Sequence, residues 1–255
     1  MNWNTKTIPP MTNVEEQLPD TSAPLVEHLR ELRNRLIWGL GAVFVFFLAC
    51  YGVKEQLFTA LTHPLIAAGQ KQMVFTAVHE LFFTYLKLSL LGGLYLGIPV
   101  LLVQIWKFMA PGLYKSEKRV VLPLLIATPV LFYLGGIFTY FAVLPIALKF
   151  FLSFSNAEIV ALPSVKEYLS FLISMTFAFG IAFELPIFLL LLVKAGLVTP
   201  QALSHFRRYA YVLILTLAAI LTPPDPVSQL LLGVPMMVLY EIAVFLAKGI
   251  KSSGE

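Results

Sequence analysis

Charge is what this sequence lacks most. Only 13% of its 255 residues are Asp, Glu, Lys or Arg, against roughly 25% in a soluble domain, whose surface must face water. With 58% hydrophobic residues and a mean hydropathy of +0.83, the chain cannot cover a water-facing surface, so lipid must be its main solvent. Cysteine is nearly absent as well: Cys50 stands alone, which excludes an internal disulfide. It lies in an apolar run, where a thiol behaves as a small hydrophobe. The formal net charge is +4, but the basic residues sit in short clusters between apolar runs. That excludes a nucleic-acid patch and resembles the pattern that sets membrane orientation.

Catalytic motifs are missing too. His79-Glu80 is followed by Leu81-Phe82-Phe83, so the zincin pattern fails at its second histidine. No G-x-S-x-G elbow, glycine-rich phosphate loop or C-x-x-C occurs,. The histidines at 28, 63, 79 and 205 show no ligand spacing. No catalytic residue, metal site or cofactor is expected, and an intramembrane hydrolase would lack its nucleophile and base.

What is present is a series of apolar runs. Leu36 to Val53, Leu88 to Trp106 and Val120 to Leu148 carry no charge, and Tyr168 to Val193 carries only Glu184. Crossing a hydrocarbon core of about 30 Å takes roughly 20 helical residues, so each of these spans once. Tyr209 to Ala247, with only Asp225 and Glu241, is too long for one span. Pro223, Pro224 and Pro226 interrupt it, so it folds as a hairpin. Its first arm, Tyr209 to Leu221, reaches only about 20 Å at 1.5 Å per residue. The expected fold is therefore an all-α integral membrane protein with six transmembrane helices and a short final helical hairpin. The short arm is met either by drawing Arg207 and Arg208 inward or, as preferred here, by a TPPDP turn below the far surface of a thinned bilayer.

Residues 1–24 are polar and hold Pro9, Pro10, Pro19 and Pro24. They read as a disordered cytoplasmic tail, followed by a membrane domain over 25–247 and a short cytoplasmic tail over 248–255. With the amino terminus inside, Lys6, Arg30, Arg33, Arg35, Lys107, Lys115, Lys118, Arg119, Lys194, Arg207, Arg208, Lys248 and Lys251 face the cytoplasm. Only Lys54, Lys71, Lys149 and Lys166 face outward. This asymmetry predicts an N-in/C-in topology.

Few polar residues could carry a function. Leu25, Leu29, Leu32 and Leu36 recur at helical spacing, which predicts an amphipathic start to the first helix. On that pattern alone, Glu31 is a solvated i,i+4 partner of Arg35, and Glu117 is a carboxylate neutralised by Lys115, Lys118 and Arg119. Glu184 differs: an acid at mid-span costs roughly 2.5 to 3.5 kcal/mol on insertion scales and is seldom left without a use. It is expected to face the protein interior or a wet cavity, with Pro186 kinking the helix beside it. Lys87 reads as a snorkelling side chain near the outer surface, Glu241 as interfacial, and Thr222 and Gln229 as local capping groups at the hairpin turn.

The stretches HLRELRNRL (28–36), FMAPGLYKSEKR (108–119), LFYLGGIFTYFAVLPIALKF (131–150), AFGIAFELP (178–186) and LTPPDPVSQ (221–229) carry a resemblance. Together, in that order, they resemble the TatC family, the polytopic receptor subunit of the twin-arginine protein translocase. The resemblance implies binding of the twin-arginine signal peptides of folded cargo, recruitment of the single-span proteins TatA and TatB, self-association, and export driven by the proton-motive force. It implies a signal-peptide site at Glu31, Glu117 and Arg33, an intramembrane acid at Glu184, a partner-contact patch at Thr222 and Gln229, and marked positions at Pro64, Phe108 and Asp225. The implied home is the bacterial cytoplasmic membrane, with a thylakoid membrane as the alternative. Departures are Pro226, where an apolar residue is commoner, and Ala219, where a larger one is. A guanidinium binds a carboxylate through two parallel hydrogen bonds that a lysine cannot reproduce, so paired arginines suit paired carboxylates. The competing reading, from Glu184 alone, is a proton-coupled small-solute transporter.

Overall fold

The computed structural model describes residues 22–70, 72–109, 115–155, 161–194, 196–222 and 225–249. Side chains of 22–29, 106–109 and 115–125 lie outside that description. All regular elements among the described residues are helical. They are α1 (Ser22–Gly52), α2 (Lys54–Ala67), α3 (Glu80–Met109), α4 (Lys115–Phe138), a π-helical turn (Thr139–Val143) and α5 (Leu144–Leu152). Then follow α6 (Val165–Phe183), α7 (Leu185–Lys194), α8 (Pro200–His205), α9 (Arg207–Leu221) and α10 (Pro226–Lys248). The one extended pairing is an isolated bridge between Val74 and Ser164.

Among the described residues, five helical stretches are long and apolar enough to cross a membrane: Arg30–Gly52, Glu80–Ile105, Ile126–Leu152, Val165–Lys194 and Pro226–Lys248. Two are composite. The third runs through the π turn, where Thr139 Oγ1 donates to the Gly135 carbonyl at 2.9 Å. The fourth breaks at Glu184, between α6 and α7. Pro186 has no N–H for the Ala182 carbonyl, and the Glu184 N–H turns back to Ile181 instead, at 3.0 Å. The helix therefore interrupts where the proline predicts. α9 has 15 residues, or about 22 Å. It begins at Arg207, so the helix takes up both arginines and is still short.

Small residues set the helix spacings. A Cβ at Gly93 would lie 2.5 Å from the Phe47 backbone nitrogen, and one at Gly97 would lie 2.7 Å from a Val43 methyl. Gly93 and Gly97 are four apart, so they form one seam of α3 against which α1 packs closely. As α3 advances its partners on α1 recede, so the two run antiparallel. The same holds for α4 and α6, where Gly135 meets the Phe179 carbonyl. By this alternation the start of α1, the start of α4 and the end of α10 share one end of the bundle. A buried core of Met175, Phe179, Ala218, Leu232, Met236 and Val244 joins α6, α9 and α10.

The opposite end is capped by α2. Pro64, inside α2 and buried, has no N–H for the Ala60 carbonyl. The Tyr140 hydroxyl donates to that carbonyl at 2.6 Å, and Tyr168 donates to Leu61 at 2.7 Å. Pro99 likewise orphans the Tyr95 carbonyl in α3, which receives the Tyr133 hydroxyl at 3.3 Å.

Candidate functional site

At the end of the bundle where α1 begins and α10 ends, a cavity of about 400 Å³ is lined by Arg30, Glu31, Asn34, Arg35, Trp38 and Gln104. Five of these come from α1, and Gln104 comes from the last turns of α3. Arg35 Nε donates to Glu31 Oε1 at 2.9 Å, and Nη2 contacts the same oxygen. This is the i,i+4 pair that the spacing predicts. Both side chains stay partly open, 25% for Arg35 and 35% for Glu31, so solvent reaches the pair and it is weak. Arg33 is exposed on the neighbouring face. Glu117 falls in the first turn of α4, at the same end of the bundle as Glu31, but its side chain lies outside the described residues. So does the side chain of Phe108, in α3.

Glu184 sits at the joint of α6 and α7. Its carboxyl faces α4, within hydrogen-bonding reach of the Thr128 side chain and the Phe132 backbone. Buried Oε1 has no hydrogen-bond partner among the described residues. The expected inward-facing acid is there, beside a kink.

At the hairpin turn, Asp225 caps α10 by accepting from the Ser228 N–H at 2.6 Å. Thr222 is buried and donates to the Ala218 carbonyl at 2.8 Å. Gln229 Nε2 reaches the Leu215 carbonyl at 3.1 Å. Thr222 and Asp225 cap the end of α9 and the start of α10, which is the local capping role, and Gln229 alone of the three ties α10 to α9. At the hairpin's other end, Glu241 accepts from Tyr211 at 2.6 Å and pairs with Arg207 at 2.9 Å, so Arg207 is drawn onto α10.

One polar centre escaped the sequence reading. Glu80 accepts from the Thr76 N–H and hydroxyl at 2.6 and 2.8 Å. It also accepts from the Ser164 hydroxyl at 2.8 Å and the Lys166 N–H at 3.1 Å. It ties the connection before α3 to the connection before α6. Among the described residues no cluster could hold a metal ion.

Together these features define a multi-pass helical membrane protein with polar sites at its two ends and a single acid between them. The family model of the Sec-independent protein translocase protein (TatC) matches residues 27–235. The chain is 51% identical to the Sec-independent protein translocase protein TatC of Magnetococcus marinus over 234 residues, covering 91% of this chain and 86% of that protein. It is 38% identical to the protein of that name from Escherichia coli strain K12, covering 90% of each. A crystal structure of the twin arginine translocase receptor TatC superposes with a TM-score of 0.75 at 41% identity, covering 87% of this chain and 98% of that one. This chain belongs to the TatC family. It is a protein-translocase component rather than an enzyme, and the small-solute transporter reading falls away.

Proposed function

We propose that this chain is the receptor and core subunit of a twin-arginine translocase in the bacterial cytoplasmic membrane. Its termini and the Glu31 cavity face the cytoplasm, and α9 serves as a sixth, short crossing. Thirteen basic residues against four on the other side support that orientation. The paired arginines of a cargo signal peptide are gripped by Glu31 and Glu117, with Arg33 in the same site. Thr222 and Gln229, beside Asp225, offer the contact patch for TatA and TatB, and the proton-motive force drives export. Pro64 and Phe108 shape the frame around these sites.

The observation that carries this reading is the half-open Glu31 cavity. Its carboxylate already holds a guanidinium, that of Arg35, with Nε and Nη2 both on Oε1, which is the charge pairing a cargo arginine would make. Glu117 lies in the first turn of α4 at the same end, and α4 begins six chain steps after Met109, a reach of at most about 22 Å. Charged hydrogen bonds of roughly 1.5 to 3 kcal/mol each would separate Arg-Arg from Lys-Lys cargo by orders of magnitude.

Site-specific photocrosslinkers at positions 31 and 117 test it, with a twin-arginine signal peptide as target. Adducts should form at both positions and vanish with a twin-lysine peptide. Equal labelling by the two peptides would remove the site assignment.

A further inference from the structure

At the end of the bundle capped by α2, a second polar cavity of about 300 Å³ opens between α3 and α6, with His79, Glu80, Phe83, Lys87 and Lys166 among its walls. Two ammonium groups from different helices converge on it. Lys87 Nζ donates to Ser170 Oγ at 3.0 Å, and among the described residues no carboxylate lies within 4 Å of either amine. The cavity's own carboxylate offsets part of their charge but hydrogen-bonds neither amine. Glu80 receives the Thr76 N–H and hydroxyl, the Ala77 N–H, the Ser164 hydroxyl and the Lys166 N–H, which spends its acceptor sites.

The chain beside the cavity is apolar and open. Val78 is 97% exposed, and Phe75, Phe82 and Phe83 are all more than half exposed. Aromatic and basic side chains at the end of a span mark the level of lipid headgroups. A phosphate bound there would meet the two amines while its acyl chains ran along Phe82 and Phe83. A zwitterionic lipid would bring its own cation against the lysines, whereas an anionic lipid brings none.

We propose that this cavity seats the headgroup of one anionic phospholipid from the leaflet facing away from the chain ends. The proposal rests on the membrane placement read above, though not on which side is cytoplasmic.

The test places a bimane fluorophore on Val78→Cys in a Cys50→Ala background, with the full chain in phosphatidylcholine vesicles. Quenching is compared between brominated phosphatidylglycerol and brominated phosphatidylcholine at equal mole fraction. Each lysine near a surface favours an anionic headgroup about fivefold, so the two together give about 25-fold. The Glu80 charge lowers this to a preference for phosphatidylglycerol on the order of tenfold. It should fall to parity in Lys87→Gln/Lys166→Gln and survive in Lys87→Arg/Lys166→Arg, which keeps the charge and controls for folding. Equal quenching by the two lipids, or a preference that persists in the glutamine variant, overturns the seat. Loss of the preference on adding millimolar inorganic phosphate would show a free-anion site and overturn the lipid assignment. Absence of quenching by either lipid would overturn the membrane placement of this end along with the seat.

Discussion

The α2 cap and the Glu31 cavity, at opposite ends of the helix bundle, are built on opposite plans. At the α2 end, side chains tie groups far apart in sequence: Tyr140 to the Ala60 carbonyl, Tyr168 to the Leu61 carbonyl, and Glu80 to the Ser164 hydroxyl and the Lys166 N–H. At the end where α1 begins, the described polar contact of the Glu31 cavity stays within one helix, Glu31 to Arg35. A carboxylate satisfied by backbone amides is locked into the fold. A carboxylate held by one exposed guanidinium can exchange it for another. On the function proposed above, the difference separates a brace from a recognition surface, and the same residue type, glutamate, serves both.

The sharpest way to break this contrast is to remove each glutamate and read both stability and binding. Glu31→Ala should weaken binding of a twin-arginine peptide on the order of 100-fold, since it deletes a bidentate charged contact. Its melting temperature in detergent should stay nearly unchanged, because the Arg35 pair is exposed and i,i+4. Glu80→Ala comes next and should do the reverse. Its removal leaves the Thr76, Ser164 and Lys166 donors without their acceptor, so the protein should melt several degrees earlier while the remaining folded molecules bind peptide normally. A Glu31 variant that melts early, or a Glu80 variant that binds poorly when folded, would erase the distinction.

How far this plan is legible in the sequence depends on the range of the interaction. The spans follow from gaps between charges, because lipid excludes charge locally, and the described helices fall on those runs. The break at Glu184 follows from Pro186, and the Glu31–Arg35 pair from helical spacing. The α2 cap does not follow. Its 14 residues, Lys54–Ala67, are too short and mixed to stand out from a connection, and Tyr140 and Tyr168 secure it from distant parts of the chain. Glu80 was read only as half of a failed zincin pattern, since nothing local announces partners 84 and 86 residues away. The seam at Gly93 and Gly97 was visible as two small residues four apart, but its partner on α1 was not. The π turn at Thr139–Val143 has no sequence signature beyond Pro145 following it.

A smaller effect tests whether the cap is held by its orphaned carbonyls. Tyr140→Phe deletes the donor to Ala60 and should cost about 1 kcal/mol, read as an earlier thermal midpoint. In a Pro64→Ala background the restored N–H can close the α2 hydrogen bond to Ala60, so the same Tyr140 change should cost markedly less. Equal costs in the two backgrounds would mean that Tyr140 acts through packing alone.

The smallest expected effect lies back at the open end. If Arg35 occupies the place of a cargo arginine, it competes with cargo, and Arg35→Gln should tighten twin-arginine peptide binding. The gain is bounded by what the exposed pair is worth, about 0.3 to 0.5 kcal/mol for an i,i+4 contact, which is about twofold in Kd. Being electrostatic and partly solvated, the gain should shrink as salt rises from about 0.05 to 0.5 M, where the screening length falls well below 10 Å. Weaker binding in Arg35→Gln at every salt concentration would instead make Arg35 the residue that orients Glu31, and the two ends would then share one design: a glutamate fixed by its neighbours before any partner arrives.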